Sequence, residues 1–269
     1  MKAFFHHFAY DFASGIRDRS QLLMNYLFPL VFFLLVGGFM ASVNPAFKSL
    51  MLPAMTLFAV LASALLSMPA TLVNARENGV FRSFRINGVP ASSLLAIPPL
   101  GGLVHMVLVA LVIALLGPRL YGGLAPRDVA GYAAAGLLSY AAVAGIGALI
   151  GVAAANNRAT ILIGQFVYLP ALMLGGLMFP QSLLPPVLAR VSLLLPTTHA
   201  MRVFTALGME PSQAAFPWLS AAVLASGATL SFVLSAVIFQ WDSRMSQPNR
   251  KAALAFLGIL PYAVAAVIG

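Results

Sequence analysis

Residues 75–90 read ARENGVFRSFRINGVP: three arginines and a glutamate between two apolar runs, LPAMTLFAVLASALLSMPATLVN (52–74) and SSLLAIPPLGGLVHMVLVALVIALL (92–116). Each run is long enough for a helix to cross a hydrocarbon core about 30 Å thick at about 1.5 Å per residue. Over all 269 residues only 8% are charged and 61% are apolar, against about a quarter charged in a soluble domain. Such a chain cannot cover a globule with polar surface, so the bilayer is its solvent. The fold class is an all-α polytopic membrane protein.

Working outward, spans are expected at 22–42, 52–74, 92–116, 129–155, 159–180 and 217–240, with a last apolar run at 252–269. Residues 1–21 hold Phe4, Phe8, Phe12 and Ile16 four apart, with Phe5, Ala9 and Ala13 beside them and His6, His7, Tyr10, Asp11, Arg17 and Asp18 elsewhere. That spacing predicts an amphipathic helix lying in the membrane surface, with no cleavable signal ahead of the first span. Residues 182–196, SLLPPVLARVSLLLP, are apolar but too short to cross and are broken by prolines, which predicts a re-entrant element in the external region 182–210. With the N-terminus inside, one face carries Lys2, Arg17, Arg19, Arg76, Arg82, Arg85, Arg158, Arg244, Arg250 and Lys251, and the other only Lys48, Arg119, Arg127, Arg190 and Arg202. The bias puts the N-terminus in the cytoplasm. No repeat or low-complexity linker divides the chain, so 1–269 reads as a single transmembrane domain.

The net charge of +9 is spread singly between apolar runs. It suits topology and anionic lipid, and no contiguous patch tracks a nucleic-acid backbone. The absence of cysteine excludes disulfides and thiolate metal sites. There is no G-x-x-x-x-G-K-[ST], no H-E-x-x-H and no G-x-S-x-G, so no Walker site and neither common hydrolase signature is present. No carboxylate falls within a span, which disfavours a secondary carrier. His105, the titratable group well inside a span, reads as a packed, hydrogen-bonded residue in preference to a proton relay. Gly145, Gly147 and Gly151 with Ala144 predict close helix packing inside the chain. Pro29, Pro69, Pro98, Pro99 and Pro170 interrupt spans.

In the polar stretch, Glu77 and Asn78 open a short helix in which Val80, Phe81 and Phe84 share one face and Arg82 and Arg85 another. Gly79 and Asn87-Gly88 are turn signals, and Pro90 precedes the next span. As a positive-inside loop alone, the stretch needs only its arginines; the glutamate, two glycines and proline point to a structured element that meets a partner. The order Glu77-x-Gly79, Val80-Phe81, Arg82, Phe84, Arg85, Gly88-x-Pro90 resembles the cytoplasmic coupling loop (75–91) of ABC type-2 transporter permeases. Residues 175–202 resemble a second element of that family through Phe179, Pro180, Pro185, Pro196, Thr198 and His199. The N-terminal helix is similar to the family's interfacial helix, and the likeness covers about residues 1–245.

The resemblance implies a six-span permease that binds no cofactor itself and works with a separate ATP-binding subunit, where ATP and Mg reside. It implies two copies of that subunit and a second permease copy, a homodimer or a heterodimer, in a cell membrane of bacterial inner-membrane type. It assigns coupling to Glu77, Gly79, Phe81, Arg82, Phe84, Arg85, Gly88 and Pro90, and export of a drug, lipid or lipid-linked glycan to the assembly. Where the family often has an acid and an arginine after Pro196, this chain has Arg202 and Thr205, so no role passes to them. The run 252–269 exceeds the usual six spans; as a helix it is about 27 Å long and lacks a polar face, which favours a seventh crossing. Phe28, Phe32, Phe33, Phe166 and Tyr168 are candidates for an aromatic path, which the residues leave otherwise undefined. A membrane scaffold without a pathway is the alternative reading, and a secondary carrier a weaker one.

Overall fold

The computed structural model describes residues 2–209, 217–241 and 250–268. Expectations touching Met1, Glu210, Arg244 or Gly269 lie outside the described residues. The described chain is all-α with eleven helices. They are α1 (Lys2–Arg17), α2 (Arg19–Val43), α3 (Phe47–Glu77), α4 (Val80–Ile86), α5 (Ala91–Tyr121), α6 (Val129–Ala153), α7 (Asn157–Leu174), α8 (Pro186–Ser192), α9 (196–209), α10 (Trp218–Ile238) and α11 (Lys251–Ile268). Six of them, α2, α3, α5, α6, α10 and α11, are long and apolar enough to cross a membrane.

The expected fifth span, 159–180, is shorter than its hydropathy suggested. The helix there ends at Leu174, and its first turn carries Asn157 and Arg158, so α7 is not among the six. The chain leaves the helix because Gly175 lies directly against the Thr197 side chain and Gly176 turns it with φ 88°. A β-carbon at 175 has no room, and a positive φ is glycine's own region. The stretch expected as one re-entrant element divides into a short turn at Gln181–Leu183, then α8, then α9.

Helix α6 is the centre of the bundle, with α3, α9, α10 and the first part of α11 around it. Small residues on its faces allow this close approach. Gly147 rests on the Ala64 carbonyl of α3, Gly151 on Leu72, and Gly145 on Ala228 and Ser231 of α10. The expected packing seam is therefore internal. Helices α3 and α6 are buried over most of their length, whereas α2 and α11 turn much of their surface outward.

Three spans are irregular at one level of the bundle. Helix α2 widens into a π turn at Leu23–Leu27, and α3 does so at Ala62–Ser67. Pro29 and Pro69 follow these turns; a proline lacks the N–H its i−4 carbonyl needs, and a wider turn ahead of it absorbs that loss. Helix α5 carries Pro98 and Pro99 inside it. Beside them the Tyr140 hydroxyl donates to the Pro99 carbonyl at 2.7 Å, and Ser63 Oγ donates to the Gly102 carbonyl at 3.2 Å.

The N-terminal helix is rotated from the expected face. Phe4, Phe8 and Phe12 do turn inward, but so do His7, Asp11 and Gly15, while Phe5, Tyr10 and Ile16 are exposed. The inward stripe follows 7, 11 and 15, and Gly15, buried on it, leaves room for Gln21 Oε1, 2.9 Å from where its β-carbon would stand. Helix α11 begins as a 3-10 stretch, Arg250–Ile259, and continues as α-helix to Ile268. Its Tyr262 hydroxyl lodges at Gly227 of α10 and its Gly258 faces Leu149 of α6, while Phe256, Val264 and Val267 face outward.

Candidate functional site

Helix α4 is bracketed by Gly79 (φ 73°) and Gly88 (φ 72°), both left-handed and both with open space where a side chain would stand. The backbone, not a packing constraint, requires glycine at these two positions. Asn87 Nδ2 closes the helix by donating to the Ser83 carbonyl at 2.8 Å. Phe81 is buried and meets Phe239, just past α10, with ring centroids 5.4 Å apart. Phe84 meets His7 of α1 at 4.5 Å, and the Arg85 guanidinium lies over the Trp241 ring at 5.9 Å. The apolar face is thus turned onto this chain's own α1 and the segment just past α10. Val80, expected on that face, is exposed in the first turn of the helix. Glu77, Arg82, Arg85, Ile86, Gly88 and Pro90 form the outward surface.

One residue that the sequence reading treated as a loop charge is a tie. Arg76 is buried, and its Nη1 donates to the Val152 carbonyl at 2.9 Å while its Nη2 donates to the Ala154 carbonyl. The last carbonyls of a helix have no partner within it, and the helix end carries partial negative charge. The planar fork of an arginine satisfies two such acceptors together. Arg76 thereby fixes the end of α3, and with it the start of the loop, to the end of α6.

The second group of expected residues lies at the other end of the bundle. Thr198 Oγ1 donates to the Ser192 carbonyl at 2.6 Å. His199 pairs with the Leu193 carbonyl through Nε2 at 2.9 Å and with Ser220 Oγ of α10 through Nδ1 at 3.2 Å. Both are fully enclosed, with Pro196 starting α9 beside them. They fasten α8, α9 and α10 together; Phe179 and Pro185 are exposed and Pro180 is half-buried. Of the aromatic candidates, Phe28, Phe32 and Tyr168 gather round Phe58 of α3, with Phe32 stacked on it at 3.6 Å. Phe33 turns away to Tyr121, and Phe166 is exposed.

Beside the loop, α1 closes a small polar cavity over the three irregular spans. Its volume is about 30 Å³, room for one or two waters. Asp11, Gln21, Asn25, Ser63, Ser67 and Thr71 are its oxygen-bearing lining residues, with Phe12, Met68 and Pro98 among the apolar ones. His105 closes one side: Nδ1 pairs with the Tyr26 hydroxyl at 2.6 Å and the ring stacks on Phe12 at 4.9 Å. It is packed and hydrogen-bonded, as its sequence position suggested. Burial pushes the Asp11 carboxyl up from the usual carboxylate range, with His7 opposing, and burial pushes His7 down. Asn25 is buried and its Oδ1 has no hydrogen-bond partner. Among the described residues no group of three or more His, Asp and Glu gathers to hold a metal.

Residues 2–208 match the family model described as ABC-2 type transporter. No curated protein and no solved structure matches the chain.

Proposed function

Because the chain belongs to the ABC-2 type transporter family, as a multi-pass membrane component without a nucleotide-binding site of its own, we propose that it is the permease half of an ATP-driven exporter. Family membership implies an ATP-binding partner subunit. The finer reading is a homodimer of permeases over two such subunits in a cell membrane, with the N-terminus cytoplasmic and α11 crossing as a seventh span. The cargo is a hydrophobic or amphipathic molecule, a drug, lipid or lipid-linked glycan. Helix α4 is the coupling helix. Glu77 and Arg82 dock it on the ATPase, Gly79 and Gly88 form its turns, and Phe81 and Phe84 seat it on this chain, with Arg85 and Pro90 at its borders. Around the outer knot, the re-entrant role of residues 182–210 rests on Phe179, Pro180, Pro185, Pro196, Thr198 and His199.

The observation that carries this reading is the position of α4. It touches α1 and the segment that leaves α10 through its inward face, and it leaves a mixed-charge face exposed. A movement applied to that face reaches two elements of the bundle directly, which is what conformational coupling needs. The tagged chain, purified from native membranes in mild detergent, is expected to bring with it an Mg-ATP-hydrolysing subunit. Glu77→Lys should lower the co-purified activity on the order of tenfold, since a like-charge pair at an interface costs at least 1.4 kcal/mol or so, while the chain inserts normally. An ATPase-free homomer, recovered under conditions that preserve a control complex, would overturn the exporter reading. Full activity in Glu77→Lys would remove that residue from the docking surface.

A further inference from the structure

The cavity under α1 has no part in the coupling contacts above, yet it has the marks of a built site. Irregular backbone at membrane depth is tolerated where it lines a cavity, and π turns concentrate at functional positions. Here two π turns and a double-proline break meet at one place: Asn25 lies in the first turn, Ser63 and Ser67 in the second, and Gly101 and Gly102 just past the prolines. The Asp11 carboxylate is delivered from outside the bundle. Its Oδ2 lies 3.8 Å from where a β-carbon at Gly101 would stand, which places it beside the proline break of α5. At Gly15 the missing side chain makes room for Gln21, whose Oε1 is 2.9 Å from where a β-carbon would stand.

The donor set specifies the occupant. Its lining carries one carboxylate, the oxygen-bearing side chains of Gln21, Asn25, Ser63, Ser67 and Thr71, the His105 imidazole and a single thioether, Met68, around a volume of about 30 Å³; oxygen-bearing groups are the majority. A hard cation takes oxygen ligands, and a single carboxylate balances a single positive charge. No lysine or arginine lines the cavity to neutralise Asp11. Its titratable neighbours are His7 on its own helix and His105 from α5. The buried, unpaired Oδ1 of Asn25 is an acceptor that needs a proton donor or a cation.

We propose that this cavity is a site for one small monovalent cation of the sodium class, held by the Asp11 carboxylate with oxygens of Gln21, Asn25 and Ser67. Such an ion bridges α1 to α2 and α3, so its occupancy sets how firmly the N-terminal helix is held against the spans.

The full chain in mild detergent tests this at about pH 8, where a carboxylate is ionised and a histidine neutral. NaCl is exchanged for choline chloride at constant ionic strength, and the melting temperature is followed. A ligand that binds only the folded state makes Tm concentration-dependent. Tm is expected to rise with Na⁺ and to saturate. Asp11→Asn should flatten the response, and Ser67→Ala should raise the half-saturating Na⁺ on the order of tenfold. If Asp11→Asn does not fold, Ser67→Ala carries the test alone. Equal Tm in Na⁺ and choline overturns the site, as does an unchanged Na⁺ response in both variants. A Tm that follows pH but not Na⁺ assigns the cavity to a proton and overturns the cation. The measurement needs neither transport nor a partner ATPase, so its failure leaves the exporter reading untouched.

Discussion

Gly147→Leu is expected to abolish recovery of folded protein, with only aggregate on gel filtration in mild detergent. At Gly147 a β-carbon would fall on the Ala64 carbonyl oxygen, with Met68 Cε 2.8 Å away. The first obstacle is backbone, so no rotamer change relieves it. Separating α3 from α6 at that point would open the most buried contact of the bundle. Even Gly147→Ala should lose upwards of about 3 kcal/mol, above the usual range for an overpacked core, against a total stability of about 5–15 kcal/mol. Gly136→Ala, on the same helix, supplies the contrast. There the nearest atom is Phe204 Cζ at 3.6 Å, an ordinary contact, and alanine should be neutral or favourable by up to about 1 kcal/mol. Equal melting temperatures for Gly136→Ala and Gly147→Ala would contradict the packing of α6.

Arg76→Met should destabilise the chain by about 3 kcal/mol. It keeps most of the apolar stem but strands the Val152 and Ala154 carbonyls, and each charge-assisted hydrogen bond is worth about 1.5–3 kcal/mol. Arg76→Lys should fall between, because a lysine is a point donor and cannot match a two-acceptor geometry. Thermal unfolding in detergent reads both. If Arg76→Met melted with the wild type, the tie between α3 and α6 would be an incidental contact.

These two residues mark where sequence reading succeeds and where it stops. The glycines of α6 were legible because small residues four apart have one main use in a membrane helix. The spans were legible for a similar reason, since length and apolarity are set by the bilayer itself. Arg76 was not, because a positive charge beside a span always satisfies the topology rule, and only the fold brings two unpaired carbonyls to it. Hydropathy likewise ran the fifth span on through Gly175–Pro180, where the residues are apolar but Thr197 stops the helix. In the loop, the turn glycines and the apolar pair Phe81 and Phe84 could be read directly. Their partners Phe239 and Trp241 are distant in sequence, and nothing local announces them. Asp11 was assigned to the wrong side of α1 because the row of phenylalanines suggested a wholly apolar inner face; the π turns and prolines that make a polar one are on other helices.

Seven residues of helix between two glycines with open space around them amount to a short crank on two pivots. At about 1.5 Å per residue the arm is about 10 Å long. A swing of about 20° about one pivot carries the other end through roughly 3.5 Å, about two-thirds of one helical turn's rise of about 5.4 Å, without deforming the arm. Phe81 and Arg85 pin one side of that arm to Phe239 and Trp241, and Phe84 pins another to His7. In the proposed coupling role a stroke would therefore reach two bearings at once, and stiffening either pivot with a bulkier residue would shorten it for both.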